Sequence, residues 1–251
     1  MLIRGQNLVG YKHFSHKVVT SFLEKSAENG IEIFRTFDAL NDFNNIEFSI
    51  KEVKRIGKHA QGTIAYTTSP VHNLDTWLDL AKKIEDSGAD SLAIKDMAGL
   101  LRPFDAYDLV KSLKETLSIP IHMQTHATTG MSPATNMKAI EAGIDNIDTS
   151  ISSLSMTYGH TATETMLAIF EGKDRYLNLD LDALEEVSTF FKDIREKYSE
   201  FEGNLKGVDS TMLVKQVPGG MLSNLESQLR ANKQEDKIEM VIDEIPKVRK
   251  D

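Results

Sequence analysis

Short β-prone runs begin near Leu2, Ile31, Gly62, Ser91, Ile119 and Asn146, roughly 30 residues apart, and a helical stretch follows each of the first five. This recurrence constrains the fold more than any other feature. Alternating strand and helix at this spacing means parallel βα units, since a parallel neighbour is reached only through a crossover of a dozen or more residues. The punctuation agrees. Val18 to Leu23 opens a helix that Asn29-Gly30 stops, the usual left-handed C-terminal cap. Leu74 to Ile84 runs in the same way to Ser87-Gly88. Ser132-Pro133 reads as an N-cap with proline in the first turn, and Ala142-Gly143 closes that helix. Beyond Thr163, the segments Glu164 to Phe170, Leu184 to Tyr198, Met221 to Ala231 and Asp236 to Val248 all read as helices.

The strands share a second property: each ends in polar residues. Ile33 to Phe34 runs into Arg35-Thr36-Phe37-Asp38, Ile64 into Tyr66-Thr67-Thr68-Ser69, Ile94 into Lys95-Asp96, and Ile147 into Asp148-Thr149-Ser150. In a (β/α)8 barrel the chemistry sits at the C-terminal strand ends, so polar residues belong there. An open doubly wound sheet would carry a glycine-rich phosphate turn after its first strand, and Gly5 to Gly10 spaces its glycines wrongly for that. The expected fold is therefore α/β, a TIM-type barrel with six βα units where a closed one has eight, plus C-terminal helices. Because the chain starts almost inside its first strand, two further βα units are expected upstream. We place the partial barrel in residues 1–175 and a helical extension in 176–251, with Pro218-Gly219-Gly220 breaking the chain before a capped helix.

A net charge of −9 argues against a nucleic-acid partner, which would need clustered Lys and Arg. Cysteine is absent, which excludes disulfides, zinc–thiolate sites and thiol nucleophiles and suits a reducing compartment. No apolar run approaches the roughly 20 residues of a membrane helix, and the N-terminus lacks the pattern of a signal peptide. A cytoplasmic location is expected.

Lys95 ends an apolar strand, and an ammonium there must be paired, perturbed or modified. Three readings stand beside one another: a lysine snorkelling at the barrel rim, a Schiff-base nucleophile for a keto acid, or a carbamylated lysine that binds a divalent metal. One strand on, His122, Gln124 and His126 alternate onto one face. Imidazole suits zinc and manganese, while a neutral amide is the poorer ligand; the pair can equally be hydrogen-bonding core histidines. Arg4 and Arg35 can each grip a carboxylate in a two-pronged contact; either can equally be a surface charge or pair internally with Asp38 or Asp148. Asn7, Tyr11 and Gln61 are polar and suitably placed. His160, in the loop Met156 to Thr161, reads as structural.

Four ordered segments carry a resemblance: Arg4-Gly5-Gln6-Asn7-Leu8-Val9-Gly10-Tyr11, Gly62 to Thr67, Ile94-Lys95-Asp96-Met97-Ala98-Gly99 and Gln216-Val217-Pro218-Gly219-Gly220-Met221. The chain resembles, over essentially its whole length, the carboxyltransferase component of oxaloacetate decarboxylase alpha chains, the B subunit of pyruvate carboxylase and the transcarboxylase 5S subunit. The barrel is shared more distantly with 3-hydroxy-3-methylglutaryl-CoA lyase.

The resemblance implies a divalent metal, of zinc or manganese type, held at the barrel mouth by a carbamylated lysine, two histidines and an aspartate. Lys95 matches that lysine and His126 the second histidine. Gln124 stands where the family has the first histidine, which puts metal affinity in question; His122 matches a position that is not normally a ligand. Arg4 matches an arginine that contacts the keto acid, and Tyr11 a tyrosine beside the same pocket. Asn7 and Arg35 are further candidates for binding substrate. The implied reaction is decarboxylation of oxaloacetate to pyruvate with transfer of CO2 to biotin on a separate carrier. Alternatives are carboxylation of pyruvate, an inactive truncated barrel subunit, or a Schiff-base lyase. The implied partners are a biotin-carrier domain, membrane decarboxylase subunits or biotin carboxylase, and further copies of the same chain. The metal-binding aspartate is expected upstream of Met1, and a proton-carrying threonine and the carrier domain downstream of Asp251.

Overall fold

The computed structural model describes residues 1–203, 205–215 and 219–248. Its strands are β1 (Leu2–Ile3), β2 (Ile33–Thr36), β3 (His59–Ala65), β4 (Ser91–Asp96), β5 (Ile121–Thr125) and β6 (Asn146–Ile147). The helices are α1 (His16–Glu28), α2 (Phe43–Arg55), α3 (Leu74–Asp86), α4 (Pro103–Thr116), α5 (Ser132–Glu141), α6 (Thr163–Phe170), α7 (Leu181–Lys197), α8 (Thr211–Lys215), α9 (Gly219–Ala231) and α10 (Ile238–Val248). Six strands form one sheet in the order β1-β2-β3-β4-β5-β6, and the registers given for its neighbouring pairs are parallel. The alternation read from the sequence is thus the fold.

Local chemistry places the helix ends. Asp42 caps α2 by accepting from Asn44 N–H, Asn73 caps α3 through Thr76 N–H, and Asp180 caps α7 through Asp182 and Ala183 N–H. Gly30, with φ +95°, and Gly88, with φ +94°, supply the left-handed residue after α1 and α3, as their positions imply. Three details differ from the sequence reading. The third strand starts at His59 and not near Gly62, because Ile33 on β2 pairs with His59 and draws the earlier residues into the ladder. Ser132 is the first residue of α5 and not its cap: its hydroxyl donates to Thr125 O at 3.1 Å. The short α8 has no counterpart in the expected helices. Gln216, Val217 and Pro218 of the fourth motif lie outside the described residues.

The chain divides into two interleaved compact units. The first comprises Met1–Lys95, Tyr107–Met123 and Glu141–Ile147. Its core is Ile3, Phe34, Ile50, Ile64, Ile84, Leu92 and Ile121, all fully buried. The second comprises Asp96–Ala106, Gln124–Ile140 and Asp148–Asp251. It buries Leu101, Ala139, Met166 and Leu167, and near its end Ile238, Ile242 and Ile245 pack on Met212.

Candidate functional site

In the first unit, strand alternation sorts side chains onto two faces. Gly62 identifies them: a Cβ there would lie 2.2 Å from Ile84 Cγ2 on α3 and 3.2 Å from Ile50 Cδ1 on α2. Ala60, Gly62 and Ile64 therefore face the helices. Gln61, Thr63 and Ala65 take the other face, and their register partners Arg35, Ser91, Ala93 and Lys95 take it with them. Leu2 pairs with Arg35, so Arg4, two residues on, continues along that same face.

Along it runs a polar ladder. Arg35 Nε donates to Gln61 Oε1 at 2.5 Å, and Gln61 Nε2 donates to Ser91 Oγ at 3.0 Å. Two residues further toward the strand ends lies a cavity of about 200 Å³, lined by Leu2, Arg4, Leu8, Val9 and Phe37. Arg4 is fixed at its wall, since Nη1 donates to Val9 O at 3.2 Å and Gly10 O at 3.3 Å, and its guanidinium lies 5.0 Å from the Tyr11 ring centroid. Tyr11 itself is 79% exposed, so it covers Arg4 from the open side. Phe37 also carries Lys95: the ammonium, 5% exposed overall, stands 5.4 Å from the Phe37 centroid. Phe37 thus shares a cavity wall with Arg4 and a ring contact with Lys95, whereas Arg35 belongs to the separate ladder.

Asn7 holds the turn behind Arg4. Its Nδ2 donates to Tyr11 O at 3.4 Å and its Oδ1 accepts from Asn45 Nδ2 at 3.4 Å. Asn45, on α2, also donates to Asp38 Oδ2 at 2.7 Å and accepts from Gln6 N–H at 3.0 Å. Gly5, at φ +50°, lets this turn approach α2; a Cβ would sit 2.4 Å from Asn45 O.

The second unit brings Gln124 and His126 together, with Gln124 Nε2 3.2 Å from His126 Nε2. His126 Nδ1 lies 2.6 Å from Tyr158 O, and because a carbonyl only accepts, Nδ1 carries the hydrogen and Nε2 the lone pair. The ring of His160 lies 4.7 Å away, with its Nδ1 3.2 Å from Thr125 O. Thr125 points to the opposite face, where its hydroxyl donates to Asp96 Oδ2 at 2.8 Å. Asp96 is fully buried and also accepts Leu100 N–H at 2.8 Å and Leu101 N–H at 3.0 Å. Burial pushes its carboxyl up to about 6, although these donors pull it the other way.

A divalent ion fits this donor set in one respect that the geometry tests directly. His126 donates its Nδ1–H to a backbone carbonyl and aims its Nε2 lone pair at the Gln124 amide, the usual outer support of a metal-bound imidazole. Lys95 belongs to the first unit, Gln124 and His126 to the second. Among the described residues no three His, Asp or Glu side chains group as for a metal ion, and the candidate ligand set holds an amide and a lysine in two of its positions.

Three residues escaped the sequence reading. Phe37 looks like any strand apolar residue. Asp96 reads only as a polar strand end. Asn45 left a signal, because it falls on the stripe Asn45, Ile46, Ser49, Ile50 and Val53 that α2 buries, where an amide needs a partner.

Comparison with known proteins gives the geometry its context. The HMGL-like family matches residues 27–191, and the conserved carboxylase domain matches residues 212–251. The methylmalonyl-CoA carboxyltransferase 5S subunit of Propionibacterium freudenreichii subsp. shermanii is 50% identical over 252 residues, covering 100% of this chain and 50% of its own length. The pyruvate carboxylase B subunit of Methanocaldococcus jannaschii is also 50% identical, over 100% of this chain and 44% of its own. The carboxyl transferase domain of Rhizobium etli pyruvate carboxylase, solved with pyruvate, superposes with a TM-score of 0.93 at 34% identity, over 98% of this chain and 42% of that one. The chain thus spans about half the length of the curated relatives it matches.

Proposed function

The chain belongs to the HMGL-like family, and on that premise we propose that it forms the barrel portion of a biotin-dependent carboxyltransferase acting between a 2-oxo acid and biotin on a separate carrier. One observation carries the reading: Arg4, held by two backbone carbonyls, lines a cavity of about 200 Å³ whose wall includes Phe37, the ring that the Lys95 ammonium approaches to 5.4 Å. A fixed guanidinium at the wall of a small cavity suits a short anionic substrate such as oxaloacetate or pyruvate.

Arg4, already oriented by two carbonyls and Tyr11, binds the carboxylate that stays on the product; Asn7 keeps the turn carrying Arg4 in place, and Arg35 supports the wall below. Decarboxylation breaks the C3–C4 bond of oxaloacetate and leaves the enolate of pyruvate. The released carbon bonds to a biotin nitrogen, and the proton lost from that nitrogen returns to C3. Positive charge fixed in a dry site favours the enolate over the ground state. A divalent metal of zinc or manganese type, bound by carbamylated Lys95, Gln124 and His126, would supply Lewis-acid stabilisation of the enolate oxygen.

We assign the barrel to residues 1–175 and a helical extension, the start of the carboxylase domain, to 176–251; the HMGL-like match runs to residue 191 and the carboxylase-domain match begins at 212. Partners of this activity are a biotin carrier, with either biotin carboxylase or membrane decarboxylase subunits to set direction, and further copies of the chain. No helix among the described residues is long and apolar enough to cross a membrane. The absence of cysteine suits the cytoplasm. The second reading, carboxylation of pyruvate by the reverse reaction, is supported equally by the names of the relatives.

The test is oxaloacetate consumption by the chain supplied with the upstream barrel units and downstream threonine region of a relative and with a biotinylated carrier, since the ligands of the proposed site come from strands on both sides of that gap. Pyruvate should form only with biotin present, Lys95→Ala should abolish it, and Arg4→Ala should raise KM for oxaloacetate at least roughly tenfold. A biotin-independent rate, or keto acid trapped on Lys95 by borohydride, would instead identify a Schiff-base lyase.

A further inference from the structure

Met156 and Thr157 both hold left-handed backbone, φ +61° and +49°, without being glycine. Two such residues in a row are strained, and strain of this kind persists only where the surroundings over-determine it. Here they do. Met156 N–H donates to His160 O at 2.7 Å, Gly159 N–H to Met156 O at 2.7 Å, and Ala127 N–H to Gly159 O at 2.9 Å. The Tyr158 hydroxyl accepts Leu205 N–H at 3.1 Å, which pins the loop from its far side.

The side chains complete a reciprocal lock. His126, at the end of β5, donates Nδ1–H to the loop carbonyl of Tyr158, and His160, in the loop, donates Nδ1–H to the β5 carbonyl of Thr125. The two rings lie 4.7 Å apart at 46°. Each histidine thus ties β5 to the loop from its own side, and the Tyr158 carbonyl is what keeps the hydrogen of His126 on Nδ1.

We propose that His160 is a positioning residue for His126, holding the strained 156–160 loop so that Tyr158 O fixes the His126 tautomer and aims its Nε2 lone pair at the Gln124 amide. The inference deepens the proposed metal site and rests on that reading for its consequence, though the lock itself does not depend on a bound ion. The strained loop thereby acquires a role. Where an amide replaces an imidazole in the ligand set, the remaining imidazole must be held in one tautomer and one orientation.

The test combines imidazole 15N NMR of the full chain with calorimetric titration of Mn2+. In the unmodified protein both His126 and His160 should carry hydrogen on Nδ1; finding it on Nε2 in either would overturn the proposal. His160→Phe keeps a ring but loses the donor. It should give His126 a mixture of tautomers and weaken Mn2+ binding tenfold to a hundredfold, the range seen when an outer partner of a ligand is lost. His160→Gln, whose amide can still donate to Thr125 O, should restore both. An unchanged His126 tautomer in a folded His160→Phe protein would overturn the proposal. If the unmodified protein binds no Mn2+ yet the His126 tautomer shifts in His160→Phe, the metal reading fails and the lock stands.

Discussion

Replacing Asp96 tests how the second unit closes the turn after β4. Its carboxylate accepts Leu100 N–H, Leu101 N–H and the Thr125 hydroxyl at 2.8, 3.0 and 2.8 Å, in a site with no exposed surface. Asp96→Ala leaves three buried donors without an acceptor, each costing roughly 1–3 kcal/mol. The sum, about 4 kcal/mol after some relaxation, is a large part of the roughly 5–15 kcal/mol by which domains are stable. Asp96→Asn keeps the shape and one acceptor, sets an amide N–H against a donor, and should cost about 2 kcal/mol. The isostere also carries a pH signature. The folded carboxyl is pushed up to about 6 from an ordinary 3.8, so between those values the native state binds more protons than the unfolded chain. Stability contributed by this group is fully present below about pH 4 and is lost as pH rises through 6, by roughly 3 kcal/mol in all. Urea unfolding at half-unit steps from pH 4 to 7 measures it. The stability of the unmodified protein relative to Asp96→Asn should fall by that amount across the window. Parallel curves, or an Asp96→Asn cost under about 0.5 kcal/mol at pH 4, would refute the account.

Gly62→Ala places a methyl 2.2 Å from Ile84 Cγ2; thermal unfolding should show a loss of about 1–3 kcal/mol, and the double variant with Ile84→Ala, which removes that Cγ2, should cost less than the two single changes together, whereas strict additivity would mean the close approach is not the cause. Gln124→His should raise Mn2+ or Zn2+ retention after dialysis, with affinity at least roughly tenfold higher by calorimetry; unchanged affinity would remove Gln124 from the ligand set.

The strand–helix alternation, the helix stops at Asn29-Gly30 and Ser87-Gly88, and the polar strand ends were all legible in the sequence because they are local. A cap or a period of burial is settled by residues a few positions apart along the chain. Arg4 and Lys95 were legible as candidates for a second reason: a cation closing an apolar strand is conspicuous wherever it occurs. The partners of these residues were not legible. Phe37 lines the Arg4 cavity and meets Lys95, Gln61 carries Arg35 to Ser91, and Asp96 gathers donors from its own turn and from Thr125. Each of these depends on parallel register between segments some 25 to 60 residues apart, and a shift of one residue would turn every side chain concerned to the other face. His160 shows the difference most plainly. In the sequence it is a histidine in a loop, with nothing nearby to assign it; only the folded chain sets it against His126, 34 positions earlier, and exchanges their carbonyls. Composition and periodicity are sums over neighbours along the chain, whereas a site is a coincidence in space, decided by which strands pair and in what register.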